Sequence, residues 1–187
     1  MIAELEPAPA LDDDDEVRLP DGSLCEFVDG ELVGRVMSHE ATEVGVEIGF
    51  RFRTHLERDR IARVFGSEGQ YRCFPHAPKQ VRKPDVSVIL RSRLSQGLPR
   101  GICTFAPDLA VEVVSPNDSF EDIADRARDF RLAGTPLVWV AYPKHRSVYV
   151  HSANGIREFG PDDVIDAEPV LPGFQAKVGD FFFAEPE

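Results

Sequence analysis

The sequence predicts an α/β domain with a mixed central sheet and a helix before and after the central strands. Short β-branched runs alternate with two longer segments whose apolar residues recur at helical spacing. Glycine, proline, Asn and Asp separate these segments, as is typical of turns. The chain has 187 residues, of which 42% are hydrophobic, so it is long enough for one domain with a substantial core.

The first predicted element is a β-hairpin at residues 24–36. Two strand-like runs flank Asp29 and Gly30, and Asp-Gly in that setting is a strong hairpin signal. Residues 1–21 are rich in proline and acidic residues, which are typical of disordered segments. We therefore expect a flexible acidic lead over residues 1–21 and a single domain over residues 22–187.

A helix is predicted next, over residues 39–58, with Ser38 as its N-cap. Gly45 and Gly49 lower the helix propensity and indicate close packing against a sheet. The apolar face of this helix consists of Val44, Ile48, Phe52 and Leu56.

Several strands and a second helix follow. The second helix begins after Asp118 or Ser119, runs to about residue 133 and is stopped by Gly134. The segment at residues 91–105 is polar and is predicted to be irregular. Strands or closing segments are expected at residues 61–65, 70–74, 84–90, 109–114, 137–141, 147–151, 156–159, 173–178 and 180–183.

Two of these strands each carry one carboxylate in an apolar run, Asp85 in the first and Glu112 in the second. A buried, unpaired carboxylate is costly or becomes protonated. Neighbouring strands that present one carboxylate each can share a hard divalent cation, which prefers oxygen ligands. The alternative for Asp85 is a structural role at the start of its strand.

The net charge of −12 argues against a broad surface for duplex DNA, because such binding depends on Lys and Arg contacts to phosphates. A nucleic-acid contact would need a local basic stripe or a metal ion. A solvated helix face is the alternative interpretation of the densest basic stretch. Its members are Arg51, Arg53, Arg58, Arg60 and Arg63.

The cysteines and the hydropathy pattern point to a cytoplasmic protein. Cys25, Cys73 and Cys103 lack the spacing of a zinc site and are expected to be buried free thiols. No apolar stretch reaches the length of a membrane span, and no signal-peptide pattern is present. We therefore expect a cytoplasmic location and no membrane partner.

Four segments and His39 occur in an order that resembles the Uma2 family of restriction-endonuclease-like proteins, which is grouped with the PD-(D/E)XK nuclease fold. The resemblance extends over about residues 22–183. It implies a restriction-endonuclease-like αβββαβ core with a mixed central sheet, flanking helices and added β-hairpins. The segments are residues 25–33, 84–88, 107–116 and 134–140.

The resemblance also implies an active site. Asp85 and Glu112 would hold Mg²⁺ or Mn²⁺, with Glu31 and His39 as further catalytic residues. Arg126 lies eight residues before Gly134, at a position that is commonly lysine in the family. An arginine binds an anion through a fixed fork but is a poor proton acceptor.

Three functions remain open at this stage. The first is a Mg²⁺-dependent endonuclease that hydrolyses DNA. The second is a catalytically degenerate binding or regulatory module, which the arginine at position 126 favours. The third is a homo-oligomeric scaffold whose acidic pocket only binds a cation. Strand edges that need covering also predict a homodimer or a higher homo-oligomer.

Overall fold

A computed structural model describes residues 16–34 and 37–183 of the chain. Within these residues lie ten strands, two α-helices and three short 3₁₀ turns. None of the helices in this part is long and apolar enough to cross a membrane. The elements are β1 (Glu26–Val28), β2 (Glu31–Val33), α1 (His39–His55), β3 (Ala62–Phe65), β4 (Val86–Leu90), β5 (Leu109–Val113), α2 (Phe120–Leu132), β6 (Leu137–Tyr142), β7 (Ser147–Ser152), β8 (Gly155–Phe159), β9 (Val164–Ala167) and β10 (Leu171–Lys177).

The central sheet has six strands in the order β3-β4-β5-β6-β7-β8. Strands β5 and β6 are parallel and are joined through α2, whereas the other neighbours are antiparallel. Two separate hairpins, β1–β2 and β9–β10, accompany this sheet. The predicted mixed α/β sheet with flanking helices and added hairpins is therefore confirmed.

Helix α1 begins where the sequence predicts and ends three residues early, at His55 instead of residue 58. The Ser38 side chain accepts a hydrogen bond from the Ala41 backbone N–H at 3.1 Å, which caps the helix. The helix ends because the N–H of Glu57 bonds to the carbonyl of Thr54, three residues back, and closes the last turn.

Helix α2 follows its prediction closely. Ser119 is the N-cap, and Ser119 and Asp122 exchange hydrogen bonds in a capping box. Gly134 has a φ of +93°, the left-handed conformation that commonly follows a helix end. These two ends fix the position of the α2 side chains over the sheet.

The two faces of the sheet carry separate cores. Side chains alternate along β5, so Leu109, Val111 and Val113 join the core beneath α1. Ala110 lies on the other face, in the core beneath α2. The same alternation places Glu112 on the α2 face of the sheet.

One predicted strand is absent from the structure, and one observed strand was not predicted. Residues 70–74 do not form a strand, because only Tyr71 of this segment makes ladder bridges, one to Arg82 and one to Cys103. Strand β9 was not predicted, although its burial alternates with Ile165 and Ala167 inside. It pairs with β10, which begins at Leu171, two residues before the predicted segment.

The predicted acidic lead lies mostly outside the described residues, but its end is packed onto the fold. Val17 is buried, and its backbone N–H and carbonyl both bond to the side chain of Gln70, at 3.0 and 2.7 Å. Arg18 forms a bridge with Leu24. The packed part of the chain therefore includes residues ahead of the predicted domain start at residue 22.

Candidate active site

Asp85 and Glu112 lie at the same end of the antiparallel β4–β5 pair. Asp85 comes directly before β4, whose first residue, Val86, pairs with Val111 of β5. The Asp85 backbone N–H donates to the Val111 carbonyl at 3.0 Å. The two acids chosen from the sequence therefore lie at the same end of the β4–β5 pair, while their role as metal ligands stays a prediction.

Both carboxylates are buried, with 4% of Asp85 and none of Glu112 exposed. Oδ2 of Asp85 accepts a hydrogen bond from the Val113 backbone N–H at 2.6 Å, which orients the carboxylate across the end of β5. Helix α1 covers this end of the sheet at Gly45, where a Cβ would lie 3.9 Å from the Asp85 Cβ. Asp85 therefore packs against α1, whereas Glu112 extends toward Arg126 of α2 at the same end of the sheet.

Arg126 of α2 reaches the same region. Its side chain is 6% exposed, and its Nη1 lies 2.8 Å from Oε1 of Glu26 and 3.9 Å from Oε2 of Glu112. The Arg126 side chain therefore lies within ion-pair distance of Glu112, while its catalytic role stays a prediction. A guanidinium held here carries a permanent positive charge next to a buried carboxylate.

Three further charged residues complete a network that sequence reasoning did not identify. Nη1 of Arg82 lies 3.3 Å from Oε2 of Glu26, and its Nε and Nη2 donate to Oδ2 of Asp129 at 2.9 and 2.7 Å. We call Glu26, Arg82, Glu112, Arg126 and Asp129 the buried charge network. All five are less than one tenth exposed.

Polar neighbours orient the two ends of the buried charge network. Glu26 Oε1 accepts from the Lys83 backbone N–H at 2.8 Å. Asp129 accepts from the side chains of Gln80, at 2.5 Å, and His76, at 2.9 Å. Buried charges persist only when paired and hydrogen-bonded in this way.

The network also keeps Arg82 in its cationic form. Burial on its own lowers the pKa of this guanidinium, but the carboxylates of Glu26 and Asp129 outweigh burial and raise the pKa above its ordinary value. Arg82 therefore acts as a fixed positive charge that holds Glu26 in place for Arg126.

The sequence did contain a signal for the missed residues. Glu26 interrupts a hairpin strand whose other members are apolar, the same pattern that identified Glu112. Asp129 follows Arg126 by three residues on α2 and so shares its face of the helix. Charged residues on a buried face indicate partners, but the pattern cannot name which ones.

Glu31 and His39, the other two predicted site residues, are both exposed. Glu31 is exposed on β2, and His39 is exposed at the first turn of α1. Among the hydrogen bonds and ion pairs within residues 16–34 and 37–183, none joins either residue to Asp85, Glu112 or Arg126. Their catalytic roles stay predictions.

Within the described part of the chain, no three His, Cys, Asp or Glu side chains cluster closely enough to hold a metal ion by themselves. An ion at this site would therefore take two protein carboxylates and complete its coordination with water or substrate oxygens. Mg²⁺ is commonly bound in that manner.

The six-stranded mixed sheet with its two helices is a restriction-endonuclease-like α/β fold, and two buried carboxylates lie at one end of its β4–β5 pair. Residues 13–179 match the model of the Uma2 family, whose description is "Putative restriction endonuclease". The chain belongs to this family.

A solved structure supports the fold. It is the crystal structure of "a putative nuclease belonging to DUF820" from Anabaena variabilis ATCC 29413. The two proteins are 22% identical, with a TM-score of 0.75 over 85% of this chain and 89% of that one. No curated protein sequence matches the chain.

Proposed function

We propose that the protein is a metal-dependent endonuclease that hydrolyses phosphodiester bonds of DNA. The observation that carries this proposal is the pair of buried carboxylates, Asp85 and Glu112, at the same end of two adjacent strands, with Asp85 bonded to the backbone on either side of Glu112. Membership of a family described as a restriction endonuclease supports the same reaction class. Its action in the cytoplasm stays a prediction.

The donors at this site fit Mg²⁺ or Mn²⁺. Carboxylate oxygens are the ligands that hard divalent ions prefer, and such an ion compensates the cost of burying both carboxylates. When bound, the ion polarises a phosphodiester oxygen and lowers the pKa of a coordinated water. The protein's part is to hold Asp85 through the Val113 N–H and to hold Glu112 within a rigid strand.

Arg126 is suited to bind an anionic phosphate oxygen and to stabilise the charge that develops on it. It cannot serve as the general base, because a guanidinium does not give up its proton near neutral pH. Glu26 accepts a hydrogen bond from Arg126 and is itself held by Arg82. Glu26 and Arg82 are therefore positioning residues for Arg126.

A cleavage assay tests this function. Supercoiled plasmid and single-stranded DNA are incubated with the protein and Mg²⁺, Mn²⁺ or EDTA. We expect cleavage with either ion, none with EDTA, and a loss of at least 100-fold in Asp85→Asn, a size typical of losing a key transition-state contact. Glu158→Gln is the matched control, because it removes a carboxylate on the exposed strand β8. Equal cleavage by wild type and Asp85→Asn would refute the assignment.

A second candidate is a non-catalytic binding or regulatory module, and one observation favours it. Nη1 of Arg126 already lies between Glu26 and Glu112, so the fold supplies its own cation at the place where the family commonly has lysine. In that case Arg126→Lys, which keeps the charge in a smaller head group, would leave the protein as inactive as wild type. Cleavage by wild type would exclude this candidate.

A further inference from the structure

One groove on the surface is lined by four exposed arginines. They come from four different places: the end of α1, the loop that follows it, the edge strand β3 and the residue after β4. The apolar side chains of Leu56 and Leu98 lie beside them. The four members of this arginine groove are Arg53, Arg60, Arg63 and Arg91.

The arginine groove has no carboxylate partners among the residues that the structure describes. Two other arginines, by contrast, have carboxylate partners: Arg51 pairs with Glu47 at 2.7 Å and Arg128 with Asp125 at 3.8 Å. Arg91 Nη1 donates only to the backbone carbonyl of Arg60, at 3.4 Å.

Glu57 is the one acidic residue among those that line the groove, and it forms no ion pair with the four arginines. Four like charges gathered in one concavity repel each other. The chain as a whole has a net charge of −12, so this concentration of positive charge is local. Such an arrangement is complementary to an anion with several charges.

We propose that the arginine groove binds the phosphodiester backbone of the nucleic acid on which the protein acts. This inference rests on the proposed function for the identity of the ligand. The planar guanidinium matches the geometry of a phosphate, and four of them in one groove suit a chain of phosphates better than one small anion. The groove supplies the local basic surface that the acidic remainder of the chain lacks.

The sheet fixes the distance from the groove to the candidate active site. Arg63 pairs with Ile89 of β4, four residues from Asp85, and Arg91 directly follows β4, six residues from Asp85. At about 3.3 Å per residue these separations are about 13 and 20 Å. They correspond to about four to six base pairs of duplex rise. The groove would therefore hold phosphates to one side of the bond that is cut.

The test measures binding separately from cleavage. Fluorescence anisotropy with labelled duplex DNA, single-stranded DNA and RNA, all in EDTA, gives Kd between 50 and 200 mM salt. The groove variant combines Arg53→Gln, Arg60→Gln and Arg63→Gln. The control variant removes the same charge from other exposed sites through Lys144→Gln, Arg128→Gln and Arg157→Gln. Circular dichroism melting checks that both are folded.

Each phosphate contact contributes about 0.9 to the slope of log Kd against log salt for a duplex. Wild type and the control variant keep four arginine–phosphate contacts, so their Kd for duplex DNA should rise about 150-fold between 50 and 200 mM salt. The groove variant keeps one such contact, so its Kd should rise only about 3.5-fold. A preference among the three nucleic acids identifies which backbone the groove takes.

Equal affinity and salt dependence in the groove and control variants would overturn the proposal, as would strong competition by inorganic phosphate alone. Loss of binding in the groove variant supports it even if wild type shows no cleavage with Mg²⁺. In that event the arginine groove binds nucleic acid, and the proposed nuclease activity is wrong.

Discussion

Removal of Arg126 is the perturbation whose effect follows most directly from the buried charge network. Arg126→Met keeps most of the aliphatic length of the side chain and deletes the guanidinium. The 2.8 Å hydrogen bond to Glu26 and the 3.9 Å ion pair with Glu112 are lost, although both carboxylates stay buried. The variant therefore leaves two buried negative charges with one counter-charge fewer.

The size of the effect follows from the partners that remain. Breaking a buried ion pair by removing one member costs about 3–5 kcal/mol. Glu26 keeps the Lys83 N–H at 2.8 Å and Arg82 at 3.3 Å, so we expect a loss near the lower end, about 3 kcal/mol. That loss is about a 150-fold change in the unfolding equilibrium constant.

Urea unfolding measures this loss. With a slope of about 2 kcal/mol/M, the midpoint should fall by about 1.5 M. The matched double variant, Arg126→Met with Glu26→Gln, removes one buried negative charge as well and should recover about 2 kcal/mol of the loss. Arg128→Met is the control, because Arg128 is exposed on the same helix.

Two results would refute this reasoning. An Arg126→Met variant within about 0.5 kcal/mol of wild type would show that the guanidinium does not stabilise buried carboxylates. A double variant that is less stable than Arg126→Met would show that Glu26 is not the group left without its counter-charge.

Three further predictions concern other parts of the fold. Urea unfolding should show that Gly49→Ala stabilises the protein by about 0.5–1 kcal/mol, because the new Cβ meets only ordinary contacts of 3.7 Å or more. Gly179→Ala should destabilise it by about 1–3 kcal/mol, because its Cβ would lie 2.6 Å from the Pro161 carbonyl oxygen. A Gly179→Ala variant more stable than Gly49→Ala would contradict this packing argument. Burial raises the pKa of Cys73 to about 12, so about one part in 10⁴ of this thiol is ionised at pH 8. Its reaction with Ellman's reagent should therefore be slow, and the rate should rise about tenfold for each pH unit. A fast reaction whose rate does not change between pH 8 and 10 would be inconsistent with that pKa. Light scattering should give twice the monomer mass, because the edge strand β8 is exposed, with Ile156 65% exposed, and a dimer interface would bury it. A monomer at micromolar concentration would show that the homodimer prediction is wrong.

The local elements of the fold were predictable because their signals are local. Ser119 and Asp122 are close in sequence and cap α2, and Glu112 was singled out as the one carboxylate in the apolar run of β5. The strand predicted at residues 70–74 was wrong, because a β-like composition does not reveal whether neighbouring strands pair with the segment. Only tertiary context gives Tyr71 its two isolated bridges.

The candidate site was predictable only in part, because its contacts are distant in sequence. Glu26 and Arg126 are 100 residues apart, and Arg82 and Asp129 are 47 apart. A single sequence shows that such charges lie on buried faces, but the register of the strands and the docking of α2 decide which of them meet. The same limit applies to Arg91, which joins the other three arginines only through the pairing of β3 with β4.

We propose above all that Asp85 and Glu112, at the same end of the β4–β5 pair, hold a divalent metal ion. The most direct test is a titration of the metal-free protein with Mn²⁺, followed by electron paramagnetic resonance of the unbound ion. We expect one bound Mn²⁺ per chain in wild type and in the Glu158→Gln control, and loss of that ion in both Asp85→Asn and Glu112→Gln. Undiminished Mn²⁺ binding in both site variants would contradict the account.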